Sequence, residues 1–346
     1  MTQHLYQDNL TEFKGIGYWE KTFSEQLAAG GGKVAEQPNL FTKKFGAGPD
    51  EWPVEAGRYR LIWMPGCPHA QKVVITRKLL GLDSVISLGT TGIYRSDLGW
   101  VFSDDPGEVD PVLGIHYLHD VYTKEAPDYK WRSTVPIIVE EKTGRGVNND
   151  HFWLSVYLNT AFEPLHAPDA PDLYPRHLAK EIDALNRFLY ERINTGVYRC
   201  GFARTQEDYE QAYDAFFAAM DILDEHLAKR RFLFGDYVTD SDIRLFPTLA
   251  RFHATYYQVF RANRTRLSEF ENLWPYARDL YRIPAVRETT DFELYKRHYQ
   301  LSPHLRPLFG NVHGLLSKGP SHKGWDAPHG REKLSKGDGI WLRKTR

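Results

Sequence analysis

The sequence contains little cysteine, almost no net charge and no long apolar run, and each shortage excludes a class of protein. Only two cysteines occur among 346 residues, so a disulfide-stapled scaffold is excluded and a reducing cytoplasm is the expected location. A formal net charge of −1 disfavours a general nucleic-acid binder. No apolar stretch approaches the roughly 18 residues of a membrane span, and no signal-peptide pattern opens the chain. We therefore expect neither a nucleic-acid nor a membrane partner.

Potential metal ligands are also sparse. His116 and His119 have helical i, i+3 spacing, but no cysteine or carboxylate motif completes a metal site around them. We therefore expect no metal cofactor.

Cys67 lies where a short apolar run ends and a helical pattern begins. The run Arg58–Trp63 predicts a strand, and the pattern after Pro68 predicts a helix that ends near Gly81. Because Pro68 suits the first helical position, Cys67 falls at or next to the N-cap, where unpaired N–H groups and the helix dipole stabilise a thiolate. The pKa of such a thiol can fall from about 8.5 into the range of roughly 3.5 to 7.5. The alternative is an inert, buried cysteine, but the position favours a reactive thiol.

The residue three positions after Cys67 decides how a disulfide on it would be resolved. A resolving cysteine of the C-x-x-C type would stand at position 70, and Ala70 excludes that intramolecular route. A mixed disulfide on Cys67 would therefore need a second thiol molecule.

Composition and periodicity divide the chain into an α/β region and a helical region. The first has the order strand, helix, strand, hairpin, helix, whereas the second repeats apolar residues at helical spacing. A long polar and aromatic segment inside the α/β region is typical of a functional loop. The expected segments are an N-terminal extension at 1–57, an α/β domain at 58–162 with the insertion at 90–130, a linker at 163–174, a helical domain at 175–310 and a tail at 311–346. For the tail, an arm packed on the body and a disordered segment both remain open.

Several short motifs between about residues 56 and 310 match the sequence pattern of one family. They are Cys67-Pro68-His69-Ala70 beside the pattern C-P-W-A, Gly99-Trp100-Val101-Phe102 beside G-W-x-F, Asn148-Asn149 beside the start of N-N-E-S, Gly196–Ala203 beside G-V-Y-x-x-G-F-A, and Lys296-Arg297-His298-Tyr299 beside K-R/N-H-Y. With them the chain resembles the xi class of glutathione transferases, the glutathionyl-hydroquinone reductases. The resemblance implies a thioredoxin-like α/β N-terminal domain, an all-α glutathione-transferase C-terminal domain, and a homodimer.

The resemblance also implies thiol–disulfide chemistry at Cys67. Its thiolate would attack the sulfur of a hydroquinone thioether, release the hydroquinone and keep a mixed disulfide, which a second thiol would resolve. Tyr198, Tyr256 and Tyr299 match the substrate-pocket tyrosines, and a phenol that stays protonated at neutral pH suits proton transfer to the ring. The competing interpretation is that these are core tyrosines of a tyrosine-rich chain. For Tyr198, which lies inside its matched motif, the catalytic interpretation is favoured.

Thiol binding, by the same resemblance, belongs to the first domain. The backbone of Val135, before a cis Pro136, would pair with the cysteinyl part of the bound thiol. Trp100 would cover the thiol, with a buried loop anchor as the alternative. Asp150 and His151 stand where the family pattern has the Glu-Ser pair that receives the γ-glutamyl end of glutathione.

Two departures from the family pattern concern the bound thiol. His69 replaces the Trp after Cys-Pro, where it either supports a thiolate electrostatically when protonated or faces solvent. Asp150-His151 replaces Glu-Ser, which changes shape and hydrogen bonding where a carboxylate and an ammonium should bind. The hypothesis that follows is an alternative thiol, such as mycothiol or γ-glutamylcysteine. Glutathione held through altered contacts is the conservative alternative.

Three functions are therefore compared. The first is a cysteine-dependent reductase of thiol-conjugated hydroquinones. The second is an omega-like thiol transferase that reduces mixed disulfides or dehydroascorbate. The third is a binding module without activity, against which the retention of Cys67, Trp100 and Tyr198 argues because a scaffold has no physical need for this set.

Overall fold

The computed structural model describes residues 41–96, 99–129, 131–303, 305–306, 309–337 and 339–343. Most of the expected N-terminal extension, as far as residue 40, lies outside the described residues. The described chain divides into two compact units. The unit that we call the sheet unit falls within Glu36–Pro171 and Glu288–Ser317, and the one that we call the helical unit falls within Asp172–Arg287 and Lys318–Arg346.

A four-stranded mixed sheet forms the centre of the described sheet unit. The strands are, in chain order, β1 Tyr59–Trp63, β2 Ile86–Thr90, β3 Arg95–Ser96, β4 Gly99–Trp100, β5 Ile137–Glu140 and β6 Arg145–Asn148. The sheet has the order β2-β1-β5-β6, with β1 parallel to β2 and the other pairs antiparallel, while β3 and β4 form a separate small hairpin. All five residues of β1 are buried, as expected for a central strand covered on both faces.

Most of the helices lie in the second half of the chain. They are, in chain order, α1 Pro68–Leu79, α2 His119–Glu125, α3 Leu154–Thr160, α4 Ala179–Phe188, α5 Gly196–Phe202, α6 Gln206–Leu227, α7 Asp240–Arg251, α8 Tyr257–Val259, α9 Leu273–Tyr281, α10 Pro284–Glu288 and α11 Phe292–Leu301, with π-helical turns at Leu189–Asn194 and Phe252–Tyr256. The predicted architecture, an α/β N-terminal region followed by a helical region, is confirmed. No helix in the described part of the chain combines the length and apolar character that a membrane crossing requires.

The segment expected as an insertion at 90–130 is tied to the sheet by a buried ion pair. Arg60 on β1 donates to Asp110 through Nε at 3.0 Å and Nη2 at 2.9 Å, and both side chains are almost fully buried. The other carboxylate oxygen of Asp110 accepts the backbone N–H groups of Val112 and Leu113. Because each partner satisfies the other, removing either one would leave a buried, unpaired charge.

Helix α11 joins the sheet unit although it follows the helical unit in sequence. Gln71 on α1 is fully buried and donates to the Thr289 carbonyl at 2.9 Å, while the Tyr295 hydroxyl on α11 donates to the Gln71 amide oxygen at 3.0 Å. The sheet unit thus includes residues that the sequence suggested as the end of the helical domain. An amphipathic repeat has the same spacing whichever unit covers its apolar face, so periodicity alone could not assign it.

The C-terminal tail, within 318–337 and 339–343, packs on the helical unit. Trp325 is fully buried, with its ring 5.0 Å from that of Trp274 and 5.2 Å from that of Tyr281. Arg331 donates to the Leu227 carbonyl at 2.8 Å, at the C-terminal end of α6. Cationic groups stabilise this end of a helix, where carbonyls lack helical partners. Of the two alternatives for the tail, these residues adopt the packed arm.

Candidate active site

Cys67 occupies the N-cap of α1, as predicted. Its backbone is extended (φ −81°, ψ 119°), and Pro68 takes the first helical position. The side chain is half-buried, and the thiol lies 3.7 Å from the carbonyl oxygen of Val135. A thiol at this position combines access to a small reactant with the stabilising N-terminus of a helix.

Cys200 has the opposite surroundings. It is fully buried in α5, and burial raises the pKa of its thiol to about 12. A thiol with such a pKa holds almost no thiolate at neutral pH, so Cys200 is a structural residue. The chain therefore contains one half-buried candidate nucleophile, Cys67, and one fully buried cysteine, Cys200, that serves as a control.

The loop before β5 approaches Cys67 through a cis peptide bond between Val135 and Pro136, as the resemblance implied. Thr134, the residue before Val135, has both its backbone carbonyl and its backbone N–H hydrogen-bonded to the hydroxyl of Tyr122. The Tyr122 hydroxyl donates to the Thr134 carbonyl at 2.7 Å and accepts the Thr134 N–H at 3.1 Å. Burial raises the pKa of Tyr122 to about 12, so this hydroxyl remains a donor. Sequence reasoning missed Tyr122, because its partners lie 12 residues away in a segment without periodicity.

Trp100 is 8% exposed and anchors the β3–β4 hairpin. Its indole lies 6.0 Å from the His298 ring on α11, and the Arg95 guanidinium sits 5.4 Å over the indole. Its backbone carbonyl accepts the Leu118 N–H at 2.9 Å. These contacts fit the anchor alternative, and the expected role of Trp100 as the cover of a bound thiol stays a prediction.

The residues that depart from the family pattern contact each other. The rings of His69 and His151 stack with centroids 4.5 Å apart and an interplanar angle of 30°. Asp150 Oδ1 accepts the N–H groups of Phe152 at 3.1 Å and Trp153 at 3.4 Å, ahead of α3. One carboxylate oxygen of Asp150 thus acts within the chain as a helix-start acceptor. Sequence reasoning treated His69 and His151 separately, since nothing local links two residues 82 positions apart.

Two of the three expected tyrosines meet in the helical unit. The hydroxyls of Tyr198 on α5 and Tyr256 in the second π-helical turn are 3.0 Å apart, and Phe260 stacks on the Tyr256 ring at 4.6 Å. Tyr198 is half-buried, whereas Tyr256 is fully buried. A phenol paired with a second phenol can donate a proton while its own oxygen is stabilised by the neighbouring O–H.

Tyr299 belongs to the sheet unit, on α11. It is 2% exposed, and its ring lies edge-on to His298 at 4.7 Å. The structure therefore places the three tyrosines in two units, with Tyr198 beside Tyr256 and Tyr299 beside His298. Within the described residues, no group of three or more His, Cys, Asp or Glu side chains is arranged to hold a metal ion.

Comparison with known proteins gives a consistent set of similarities. Residues 206–279 match the family described as glutathione S-transferase, C-terminal domain. The glutathionyl-hydroquinone reductase PcpF of Sphingobium chlorophenolicum is 36% identical over 307 residues, which are 88% of this chain and 95% of that protein. The glutathionyl-hydroquinone reductase YqjG of Escherichia coli K12 is 34% identical over 325 residues, 91% of this chain and 97% of that protein.

Solved structures show the same similarity in three dimensions. A glutathione transferase from Gordonia bronchialis is 44% identical with a TM-score of 0.83, covering 88% of this chain and 93% of its own. The glutathione-bound structure of YqjG is 33% identical with a TM-score of 0.77, covering 84% of this chain and 96% of its own.

Proposed function

This chain belongs to the xi class of glutathione transferases, the glutathionyl-hydroquinone reductases, and we propose that it removes a low-molecular-weight thiol from S-conjugated hydroquinones through a mixed disulfide on Cys67. The class makes it a thiol-dependent reductase of the glutathione transferase superfamily. The observation that carries the mechanism is the placement of Cys67 at the N-cap of α1, half-buried and 3.7 Å from the Val135 carbonyl.

In the proposed first step, the Cys67 thiolate attacks the sulfur of the thioether. A sulfur–sulfur bond forms to Cys67, and the bond between sulfur and the ring carbon breaks with its electron pair on the ring. The ring carbon takes a proton, so the hydroquinone leaves and the thiol part stays on Cys67. In the second step a free thiol attacks this mixed disulfide, which releases a symmetrical disulfide and restores the thiolate. The conjugate is reduced and two thiol equivalents are oxidised, so the electrons balance.

The proton for the ring carbon is assigned to Tyr198. A phenol is protonated at neutral pH, and its conjugate base is stabilised by the Tyr256 hydroxyl 3.0 Å away. Tyr256 is thus proposed as the supporting donor of the pair. Tyr299 is proposed for the substrate pocket on the family pattern alone.

The thiol is proposed to lie along the Val135 backbone, between the N-termini of α1 and α3. Glutathione is the co-substrate that the class favours, and the glutathione-bound state of the relative YqjG supports it. The stacked His69–His151 pair supports a different thiol, because two imidazoles and a helix-start Asp150 replace the Trp, Ser and Glu of the family pattern. The γ-glutamyl end is the part of the ligand that these residues would change.

Turnover of a thiol series tests the proposal. Purified protein is given menadione conjugates of glutathione, γ-glutamylcysteine and mycothiol, each with its matching free thiol, and the release of menadiol is followed. We expect turnover with at least one conjugate, its loss in Cys67→Ala and its retention in Cys200→Ala. Turnover of the glutathione conjugate at the highest kcat/KM would remove the alternative-thiol hypothesis. No turnover with any conjugate, together with reduction of a mixed disulfide such as hydroxyethyl disulfide, would replace the proposal with the omega-like function.

The same class membership supports two further proposals, a homodimer and a cytoplasmic location. The low cysteine content suits a reducing compartment. Light scattering on the purified chain would measure a mass near twice 40.1 kDa for the homodimer. A mass near 40.1 kDa would contradict it.

A further inference from the structure

His298 on α11 lies against the turn that presents Cys67. A Cβ atom added to Gly66 would lie 2.9 Å from both Cγ and Cδ2 of His298, so the imidazole rests directly on the backbone before the cysteine. No side chain fits between them, since real Cβ contacts of this length essentially do not occur. The residue preceding Cys67 must be glycine for this contact to exist.

The other side of the imidazole holds the segment that leads to Trp100. Nδ1 of His298 is 2.8 Å from the carbonyl oxygen of Ile93, and a carbonyl only accepts, so Nδ1 carries the proton. The Ser302 hydroxyl, at the C-cap of α11, lies 3.2 Å from the same nitrogen and 3.4 Å from the same carbonyl. The ring also stands 6.0 Å from the indole of Trp100. The buried His298 side chain, 4% exposed, thus contacts both walls of the proposed thiol site. One wall is the Gly66–Cys67 turn and the other is the hairpin that carries Trp100.

Helix α11 is itself fixed to the helix that Cys67 begins. The Tyr295 hydroxyl donates to Gln71, which is one turn inside α1 and fully buried. Gln71 in turn donates to the Thr289 carbonyl just before α11. Because α11 is anchored at this second point, the His298 ring has a fixed position relative to Gly66.

We propose that His298 is a positioning residue of the thiol site. Its ring supports the Gly66–Cys67 turn, while its Nδ1–H holds the Ile93 carbonyl just before β3 and thereby the β3–β4 hairpin, whose second strand carries Trp100. This inference rests on the proposed function, because only the proposed function places a thiol between the Gly66–Cys67 turn and Trp100. We assign His298 no contact with the substrate, since its side chain is only 4% exposed. Its two contacts are chemically different, so two substitutions separate them.

Two variants of His298 divide its contacts. His298→Phe keeps a ring against Gly66 and removes the donor to Ile93, whereas His298→Asn keeps a donor near the position of Nδ1 and removes the ring. Gln300→Ala is the matched control, because Gln300 is a buried residue of the same helix. Its amide donates to the Ser317 hydroxyl at 2.9 Å and takes no part in the contacts of Gly66 or Ile93. All proteins are compared by thermal unfolding first.

The expected results differ between the two variants. For His298→Phe we expect KM for glutathionyl-menadione to rise about tenfold with kcat within threefold of wild type, because the Trp100 wall loosens. For His298→Asn we expect alkylation of Cys67 by iodoacetamide at pH 6.5 to slow about fivefold, with kcat falling in parallel, because the turn loses its support. Gln300→Ala should change neither quantity by more than twofold.

Other results would overturn the inference. If both His298 variants match Gln300→Ala, or change KM and alkylation equally, His298 is a core residue without a positioning role. If neither variant folds, the contact is probed from Gly66. The Cβ of Gly66→Ala would lie 2.9 Å from Met64 Sδ as well as from His298, so Gly66→Ala is compared with Gly66→Ala combined with Met64→Ala. Slowed alkylation in both supports the role, and wild-type alkylation once Met64 is truncated would contradict it. If wild type turns over no conjugate, the proposed function fails, but the alkylation comparison still decides whether His298 positions Cys67.

Discussion

Two cysteines, and likewise two tyrosines, of this chain differ in the chemistry that their surroundings allow. Cys67 is half-buried at a helix N-terminus, whereas burial raises the pKa of Cys200 to about 12. The Tyr122 hydroxyl donates to the backbone carbonyl of Thr134, whereas the Tyr198 hydroxyl is hydrogen-bonded to the hydroxyl of Tyr256. These surroundings, more than residue type, assign a reactive role to one member of each set.

The phenol pair gives the prediction at this scale. Tyr198→Phe keeps the ring and removes the proposed proton donor, so we expect kcat on the conjugated hydroquinone to fall about 100-fold. Tyr256→Phe removes only the supporting hydroxyl, and a fall of about tenfold is expected, because one hydrogen bond to a developing phenolate is lost. Steady-state kinetics measure kcat of both variants. Tyr213→Phe, a substitution on α6, is the control. Equal activity in all three variants would exclude a chemical role for the pair.

Among the helices, the start of α7 shows how one carboxylate organises an element. Asp242 Oδ1 accepts the Leu233 N–H at 2.9 Å and the Tyr276 hydroxyl at 2.8 Å, while Oδ2 accepts the Thr239 N–H at 2.8 Å. Thr239 and Asp242 form a capping box at this helix start. Every residue of α7 is buried, so these donors have no access to water if the carboxylate is lost.

An isosteric substitution at this helix start tests that dependence. Asp242→Asn replaces one acceptor by an NH₂ group that faces donors, and we expect the free energy of unfolding to drop by about 3 kcal/mol. Asp291→Asn is the matched control, since Asp291 caps the more exposed α11 through the Leu294 N–H at 2.9 Å and Asn caps a helix equally well. Urea denaturation measures both changes. A cost below about 1 kcal/mol for Asp242→Asn would contradict this description of α7.

For the whole molecule, buried imidazoles set the response to acid. Burial lowers the pKa of both His226 and His253 to about 4, and each lies near a backbone carbonyl, those of Leu233 and Ser321. Unfolding returns them to an ordinary pKa near 6.5, so the unfolded chain binds more protons between pH 6.5 and 4 and stability falls as the pH falls. Asp242 acts in the opposite direction between about 4 and 6, because burial raises its pKa to about 6.

The histidine contribution can be removed at one position. His226→Gln keeps a side-chain N–H for the Leu233 carbonyl, 2.9 Å from Nε2, but cannot titrate. From pH 7 to pH 5 the variant should lose roughly 1 to 2 kcal/mol less stability than wild type. Urea denaturation at the two pH values measures this difference. Parallel losses in both proteins would show that His226 is not the group whose protonation destabilises the fold.

Local signals predicted the parts of this molecule that depend on neighbours in sequence. The Cys67-Pro68 helix start needs only residues within a turn, and it is present. The placement of α11 against α1, the His69–His151 stack and the Tyr122 contact with Thr134 join residues far apart, so no periodicity or spacing indicates them. The family pattern named His298 only as one letter of a motif, and its contact with Gly66 became visible in the structure.

The measurement that tests the central claim most directly is the intact mass of the protein after a single turnover without free thiol. Wild type and Cys67→Ala are each mixed with an excess of thiol-conjugated menadiol, and the mass is recorded before any second thiol is added. We expect a gain equal to one thiol on wild type, located at Cys67, removed by added thiol and absent from the variant. Release of menadiol without any adduct on Cys67, or an adduct that persists in Cys67→Ala, would contradict the mixed-disulfide mechanism.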